Sequence, residues 1–257
     1  MFAKLRIQFS IVEMTRFPRH SVLFAGAAIL AGLATVHAKD QEAGKPARQS
    51  FPPAQLKAEE LAGIDELAPL RRKLIEFGLQ SGRDLHIDKY VFGSADPKNG
   101  GFDCSGATRY MMKSVGLEPP RSSAAQYDWV KKAGTLVDVP PGTTSLDDKV
   151  FGRLRPGDLL FWAGTYHPTD GRANGITHVQ IYLGREKKDG RMVMIGSSDG
   201  RSYRGRRQCG FGVFDFRLPR PGSKSRFVGF ASPPGLEAGK KSTSDKASAP
   251  SPATKGK

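Results

Sequence analysis

One helical pattern followed by a run of strand patterns constrains this chain most. Asp103 is a favoured N-cap residue, and Cys104, Ala107, Met111 and Val115 then recur at helical spacing until Gly116. Downstream, Leu159–Trp162, His178–Leu183, Arg191–Ile195, Val213–Leu218 and Phe227–Ala231 read as strands. In the second of these, Val179, Ile181 and Leu183 fall on one face and His178, Gln180 and Tyr182 on the other. Gly184 and Gly190 bound a turn to the next strand. A cysteine-bearing helix followed by sequential strands predicts an α+β fold, the helix packed on an antiparallel β-meander. Thirty glycines and 18 prolines suit so many turns. No internal repeat or heptad run is present, which excludes the repeat and fibrous architectures.

The flanks carry different signals. Arg16 and Arg19 precede an apolar run from Val22 to Val36, which has the length of a signal-peptide core and is shorter than the ~20 residues of a membrane span. The run ends Val36-His37-Ala38, a small-x-small site, so residues 1–38 read as a signal peptide cleaved after Ala38, with Met14 an alternative start. No cysteine stands at the cleavage point to carry a lipid, and no integral span is expected once the leader is removed. Residues 39–55, with Pro46, Pro52 and Pro53, read as a linker. Residues 56–83 read as a helical segment: a short helix over Leu56–Ala62, then one opened by Pro69, with Leu70, Leu74 and Phe77 on one face and Gly82 as its stop. The principal domain is expected over 84–234, and residues 235–257 form a basic tail with no large apolar residue after Leu236.

Charge and export must be taken together. The formal net charge is +15, and removing residues 1–38, which hold Lys4, Arg6, Arg16 and Arg19 against Glu13, leaves +12. Such a surface favours polyanions. In a periplasmic or secreted protein these are cell-wall polymers and anionic lipids, so nucleic acid is not the expected partner. No P-loop lysine motif and no G-x-G-x-x-G after a strand occur, so no nucleotide cofactor is implied. His167, Asp170 and His178 do not have the spacing of a zinc motif, so no metal is expected.

Cys104 occupies the first turn of its helix, where unpaired N–H groups and the helix dipole stabilise a thiolate. A histidine in reach could take the thiol proton and return it to a leaving amine, and His178, at the start of an alternating strand, projects from a defined face. A third polar group would orient the ring. Cys209 offers another outcome, because a Cys104–Cys209 disulfide in an oxidising compartment would block the nucleophile. Arg201, Arg204, Arg206 and Arg207, around Tyr203, could hold carboxylate or phosphate groups or simply form a solvated loop.

Five segments, in order, resemble the NlpC/P60 family of cell-wall cysteine peptidases: Tyr90-Val-Phe-Gly93, Gly101-Phe-Asp-Cys-Ser-Gly106, Pro120-Arg-Ser-Ser-Ala-Ala-Gln126, Leu154-Arg-Pro-Gly-Asp-Leu-Leu-Phe161 and His178-Val-Gln-Ile-Tyr-Leu-Gly184. The resemblance covers most of 84–195. It implies a papain-like core, with Cys104 as nucleophile and His178 as base and acid. It also implies Tyr90 beside the oxyanion, Asp103 and Ser105 contacting the free amino end of the substrate, Arg121, Ser122 and Gln126 supporting the site, and Asp158 in the turn before the next strand. The implied substrate is a peptidoglycan stem peptide, and the implied bond is the γ-D-glutamyl to diamino-acid link.

The sequence departs from the family pattern in three places. The slot of the usual orienting residue holds Gly196, which has no side chain; Asp199 or Ser198 is expected to orient His178 instead, or a main-chain carbonyl does. Gln180 replaces a usually small residue on the His178 face, where it crowds or gates the cleft or bonds a ligand. The stretch 139–175 is longer than the family needs, and Thr165–Gly175 is either a loop over the cleft or a solvated insertion. The sequence therefore supports an exported thiol hydrolase, with a catalytically silent, disulfide-locked envelope protein that binds anionic wall or lipid components as the alternative.

Overall fold

The computed structural model describes residues 51–237; the expected leader, residues 1–38, and most of the expected basic tail lie outside the described residues. Three helices precede and overlie an antiparallel sheet, the α+β arrangement expected. The helices are α1 (Pro69–Leu85), α2 (Cys104–Lys113) and α3 (Ser123–Lys132). The strands are β1 (Leu136–Asp138), β2 (Leu159–Ala163), β3 (Ile176–Arg185), β4 (Met192–Ser198), β5 (Ser202–Tyr203), β6 (Arg206–Arg207), β7 (Gly210–Asp215) and β8 (Arg226–Ala231). Six strands pair in the order β1-β8-β2-β3-β4-β7, and β5 and β6 form a separate hairpin.

Helix α1 opens at Pro69 as expected but runs past Gly82 to Leu85. Gly82 is a point of close approach rather than a stop: a Cβ there would lie 2.6 Å from Gln55 Oε1. Leu74, Ile75 and Leu79 of α1 are buried in the core. Helix α2 is capped by Asp103, whose carboxylate accepts from the Gly106 N–H at 2.6 Å. Helix α3 was not expected, although Ser122 caps it by accepting from the Ala125 N–H at 3.2 Å. Gln126 of α3 fastens it to α2: its Nε2–H donates to the Ser105 carbonyl at 3.1 Å, and the Thr108 hydroxyl donates to its Oε1 at 2.8 Å.

Strand β3 has two buried faces, so its alternation separates two cores rather than core from solvent. Val179, Ile181 and Leu183 join the core under the helices, with Phe102, Cys104, Met111 and Phe161. Tyr182 faces a second core of Leu160, Trp162, Met194, Phe214, Phe216 and Phe230. Each large side chain so buried contributes about 1.5–3 kcal/mol relative to exposure.

The chain on either side of 84–234 also packs. Phe51 N–H donates to the Arg207 carbonyl and Val213 N–H to the Ala54 carbonyl, each at 3.0 Å, so residues 51–55 of the expected linker lie along β6 and β7. At the other end Leu236 is fully buried, and Glu237 pairs with Arg71 at 2.6 Å.

Candidate active site

Helix α2 packs against β3, which brings its first residue to the strand that carries His178. Cys104 is 4% exposed, and its Sγ–H donates to the carbonyl of Thr177, one residue before His178, at 4.0 Å. Its N–H donates to the Tyr90 hydroxyl at 3.4 Å. Tyr90 and Thr177, the two residues that Cys104 hydrogen-bonds, line a cavity of about 920 Å³ together with His178. Trp162, Tyr166 and Arg201 line the same cavity, as do Ser198 and Asp199. The exposed Phe92 stands at its rim, edge-on to Tyr166 at 5.9 Å.

The thiol differs from expectation. A helix N-terminus should hold it low, but burial pushes it above its ordinary value and the Asp103 carboxylate adds to that rise. The Val179 and Ser105 N–H groups and the Tyr90 hydroxyl pull the other way without winning. Burial is the larger cause, and the cap adds to it: Asp103 sets a negative charge at the same helix end whose dipole would favour a thiolate. His178 is held well below its ordinary value, first by burial and then by the Arg201 cation. The resting pair is therefore a thiol and a neutral imidazole.

The His178 ring has neighbours the sequence reading did not assign to it. Arg201 Nε–H donates to His178 Nε2 at 3.2 Å, and the Gln180 amide Nε2 lies 3.2 Å from the same atom. An arginine can only donate, so Nε2 accepts and the ring proton sits on Nδ1. Gln180 is fully buried, and its Oε1 has no partner among the described residues. Asp199 and Ser198, expected as orienting residues, do not fill that role: neither side chain hydrogen-bonds the ring. Ser198 Oγ accepts from the Gly200 N–H at 3.4 Å, and the Asp199 backbone carbonyl accepts from Arg207 at 2.7 Å. Both sit where β4 ends and the chain turns toward β5. The signal for Gln180 was present in the sequence, two residues from His178 on the same strand face, but it was read there as a ligand contact or a gate.

Asp103 and Ser105 are also placed differently from the substrate contacts the resemblance implies. Asp103 is 7% exposed and its carboxylate is occupied. It accepts from Gly93 N–H at 3.0 Å and from Arg121 at 2.7 and 3.1 Å, besides capping α2. The Ser105 hydroxyl, buried too, donates to Asp103 at 3.2 Å and accepts from Arg121 at 3.1 Å. These groups brace the start of α2. Arg121 and Gln126 stand where support of the site needs them.

In the Thr165–Gly175 loop, Thr165, Tyr166 and His167 line the cavity. The rest is fastened down. Asn174 donates to the Ala124 carbonyl at 2.9 Å, and Arg172 pairs with Asp170 at 2.5 Å and packs on Tyr166. Cys104 and Cys209 are both free thiols, so the disulfide required by the silent-protein alternative is not formed. Among the described residues no cluster of three or more His, Cys, Asp or Glu is placed to hold a metal, and no helix is long and apolar enough to cross a membrane.

Comparison with known proteins points to one family of peptidases. Residues 88–204 match the NlpC/P60 family. The chain is similar to a probable endopeptidase p60 of Listeria innocua, 31% identical over 131 residues, which cover 50% of this chain and 21% of that protein. It is similar to the probable endopeptidase p60 of Listeria monocytogenes, 33% identical over 100 residues, covering 38% of this chain and 15% of that one. Protein P54 of Enterococcus faecium is 34% identical over 119 residues, covering 42% of this chain and 17% of that protein. The chain thus spans about a fifth or less of these relatives. A solved structure described as similar to a lipoprotein of the NLP/P60 family, from Staphylococcus aureus, aligns over 72% of this chain and 45% of that one at 21% identity and TM-score 0.36.

Proposed function

Because residues 88–204 form a domain of the NlpC/P60 family, we propose that this chain is an exported thiol hydrolase that cleaves an amide bond in peptidoglycan stem peptides, the γ-D-glutamyl to diamino-acid link. The observation that carries the reading is the buried Cys104 at the first turn of α2, hydrogen-bonded to the carbonyl of Thr177, which with the adjacent His178 lines a cavity.

Each residue has a role. His178 takes the Sγ proton as the sulfur attacks the amide carbon. A C–S bond forms, and the oxyanion is met by the Cys104 N–H and the Tyr90 hydroxyl. Collapse breaks the C–N bond, and His178 returns the proton to the leaving amine. Water, deprotonated by His178, then cleaves the thioester and restores the thiol. Gln180 orients the ring: when Nε2 carries a proton, rotation of the Gln180 amide turns its bare Oε1 to accept it, and Nδ1 is left with the lone pair that takes the thiol proton. The surplus of cations supplies loose attraction to anionic envelope polymers, and that attraction weakens with salt.

The test is digestion of purified peptidoglycan with and without reductant, read by mass spectrometry. Defined muropeptides should appear, and Cys104→Ser and His178→Ala should each abolish their release while the protein stays folded. Release that survives either substitution would end the assignment.

A further inference from the structure

The four arginines of the 201–207 run have separated into different roles. Arg204 is paired with Glu186 and, at 2.8 Å, with Asp189. Arg206 stacks on Phe51 at 4.1 Å, and Arg207 donates to the Asp199 carbonyl. Arg201 alone among them lines the cavity. Its guanidinium lies 3.9 Å above the Trp162 ring, and its Nε is spent on His178. No carboxylate among the described residues forms an ion pair with it, although the charge is desolvated enough to pull its pKa down to about 10. A shielded guanidinium without an acid is costly unless something anionic visits it.

We propose that Arg201 is the anchor for a carboxylate of the substrate, and that engaging this carboxylate releases His178 for catalysis. The inference rests on the hydrolase reading and names what selects its substrate. In a γ-glutamyl link the glutamyl α-carboxylate is not part of the amide and stays charged, a few bonds from the carbon that is attacked. The planar guanidinium can grip it through two parallel N–H donors while keeping its face on Trp162. Arg220 and Lys224, which line the same cavity, give it a cationic approach.

The release follows from the hydrogen bond already made. With Arg201 donating to Nε2, the ring proton is on Nδ1, the other ring nitrogen, which therefore has no lone pair to take the thiol proton. A carboxylate that draws Arg201 off Nε2 lets the proton move there, where Gln180 Oε1 can accept it. No oxidant or further reactant is needed; one proton changes ring nitrogen and one ion pair forms.

The test compares stem peptides isolated with the glutamyl α-carboxyl free or amidated, as substrates for the whole protein and its variants. The wild type should prefer the free acid by about 10- to 100-fold in kcat/KM, the range of hydrogen bonds to a charged group, with part of the preference in kcat. Arg201→Gln should collapse that ratio to within about threefold of one, and Arg201→Lys should leave an intermediate ratio. Arg206→Gln, which removes the same charge outside the cavity, should leave the ratio in place. Equal turnover of the two forms by the wild type, a preference that survives Arg201→Gln, or one that Arg206→Gln also removes would overturn the inference and leave the hydrolase reading standing. Turnover of neither form would end both.

Discussion

Gly196 and Gln180 use the same space: a Cβ built on Gly196 would lie 3.2 Å from both Cγ and Cδ of Gln180. The bare glycine is what lets the glutamine lie across β4 and reach His178 Nε2. An orienting side chain absent from the neighbouring strand is thus supplied from the histidine's own strand, and the two departures from the family pattern become one exchange.

Gln180→Ala should lower kcat by about 10²-fold with little change in KM, the scale of a displaced catalytic group. Gly196→Ala should lower activity as well, because its methyl pushes Gln180 off the ring, and overpacking should cost about 1–3 kcal/mol of stability. Asp199→Asn and Ser198→Ala should leave kcat within about threefold, since neither side chain bonds the ring. Steady-state kinetics with melting curves decide the matter; full activity in Gln180→Ala would remove the glutamine from the machinery.

What could be read from the sequence follows the local physics. The capped α2, the alternation of β3 and the five ordered motifs were visible, because each depends on neighbours a few residues away. Helix α3 was not legible because it is short and its apolar stripe is limited to Ala124, Tyr127 and Val130, which leaves the Ser122 cap as its main local signal. The elevated Cys104 thiol was missed because it depends on how deeply α2 sinks against β3, and the helix dipole argument alone had the wrong sign. Arg201 appeared as one of four equivalent arginines; only the fold of the β5–β6 hairpin separates it from the others.

The resting protonation states set a pH profile. His178 must be neutral to act as base, and its pKa is depressed, so kcat/KM should hold as the pH falls through 6.5 and drop only further down. The thiol is raised above its ordinary value, so the alkaline limb should lie above that of a free cysteine. The charges around the pair include Arg201 at the ring, Asp103 beside the thiol, and Arg121, which is bound to Asp103 and acts on Cys104 as well. Arg201→Gln removes the second cause of the histidine's depression and should move the acid limb upward toward 6.5. A sharp loss of wild-type activity already at pH 6.5 would contradict the buried, neutral His178.

Thiol reactivity gives a check that needs no substrate. Cys104 is buried and protonated at neutral pH, whereas Cys209 is only partly buried. Iodoacetamide at pH 7.5 should therefore modify Cys209 well before Cys104, as resolved by peptide mass spectrometry. Cys209→Ser should keep hydrolytic activity with and without reductant. Preferential labelling of Cys104 would mean an exposed thiolate and a different resting state.

Arg71 joins the N-terminal helix to the sheet and the far end of the domain. It is 2% exposed and donates through Nη1 to Asp158 at 2.9 Å and to the Pro156 carbonyl at 2.6 Å, and through Nη2 to Ser232 at 2.6 Å. Asp158 also accepts from Ser232 at 2.8 Å and from the Arg155 N–H at 2.9 Å, so it closes the turn into β2 as well. Arg71→Met strands a buried carboxylate and should cost about 3–5 kcal/mol, or roughly 10 °C in Tm for a domain of this size. Glu237→Gln removes a half-exposed partner and should cost less than about 1 kcal/mol. Replacing both buried charges, Arg71→Met with Asp158→Leu, should recover part of the single loss, because no unpaired charge then remains inside. Thermal unfolding of the four proteins separates the cases, and a double variant less stable than Arg71→Met would show that the hydrogen bonds of the turn outweigh the stranded charge.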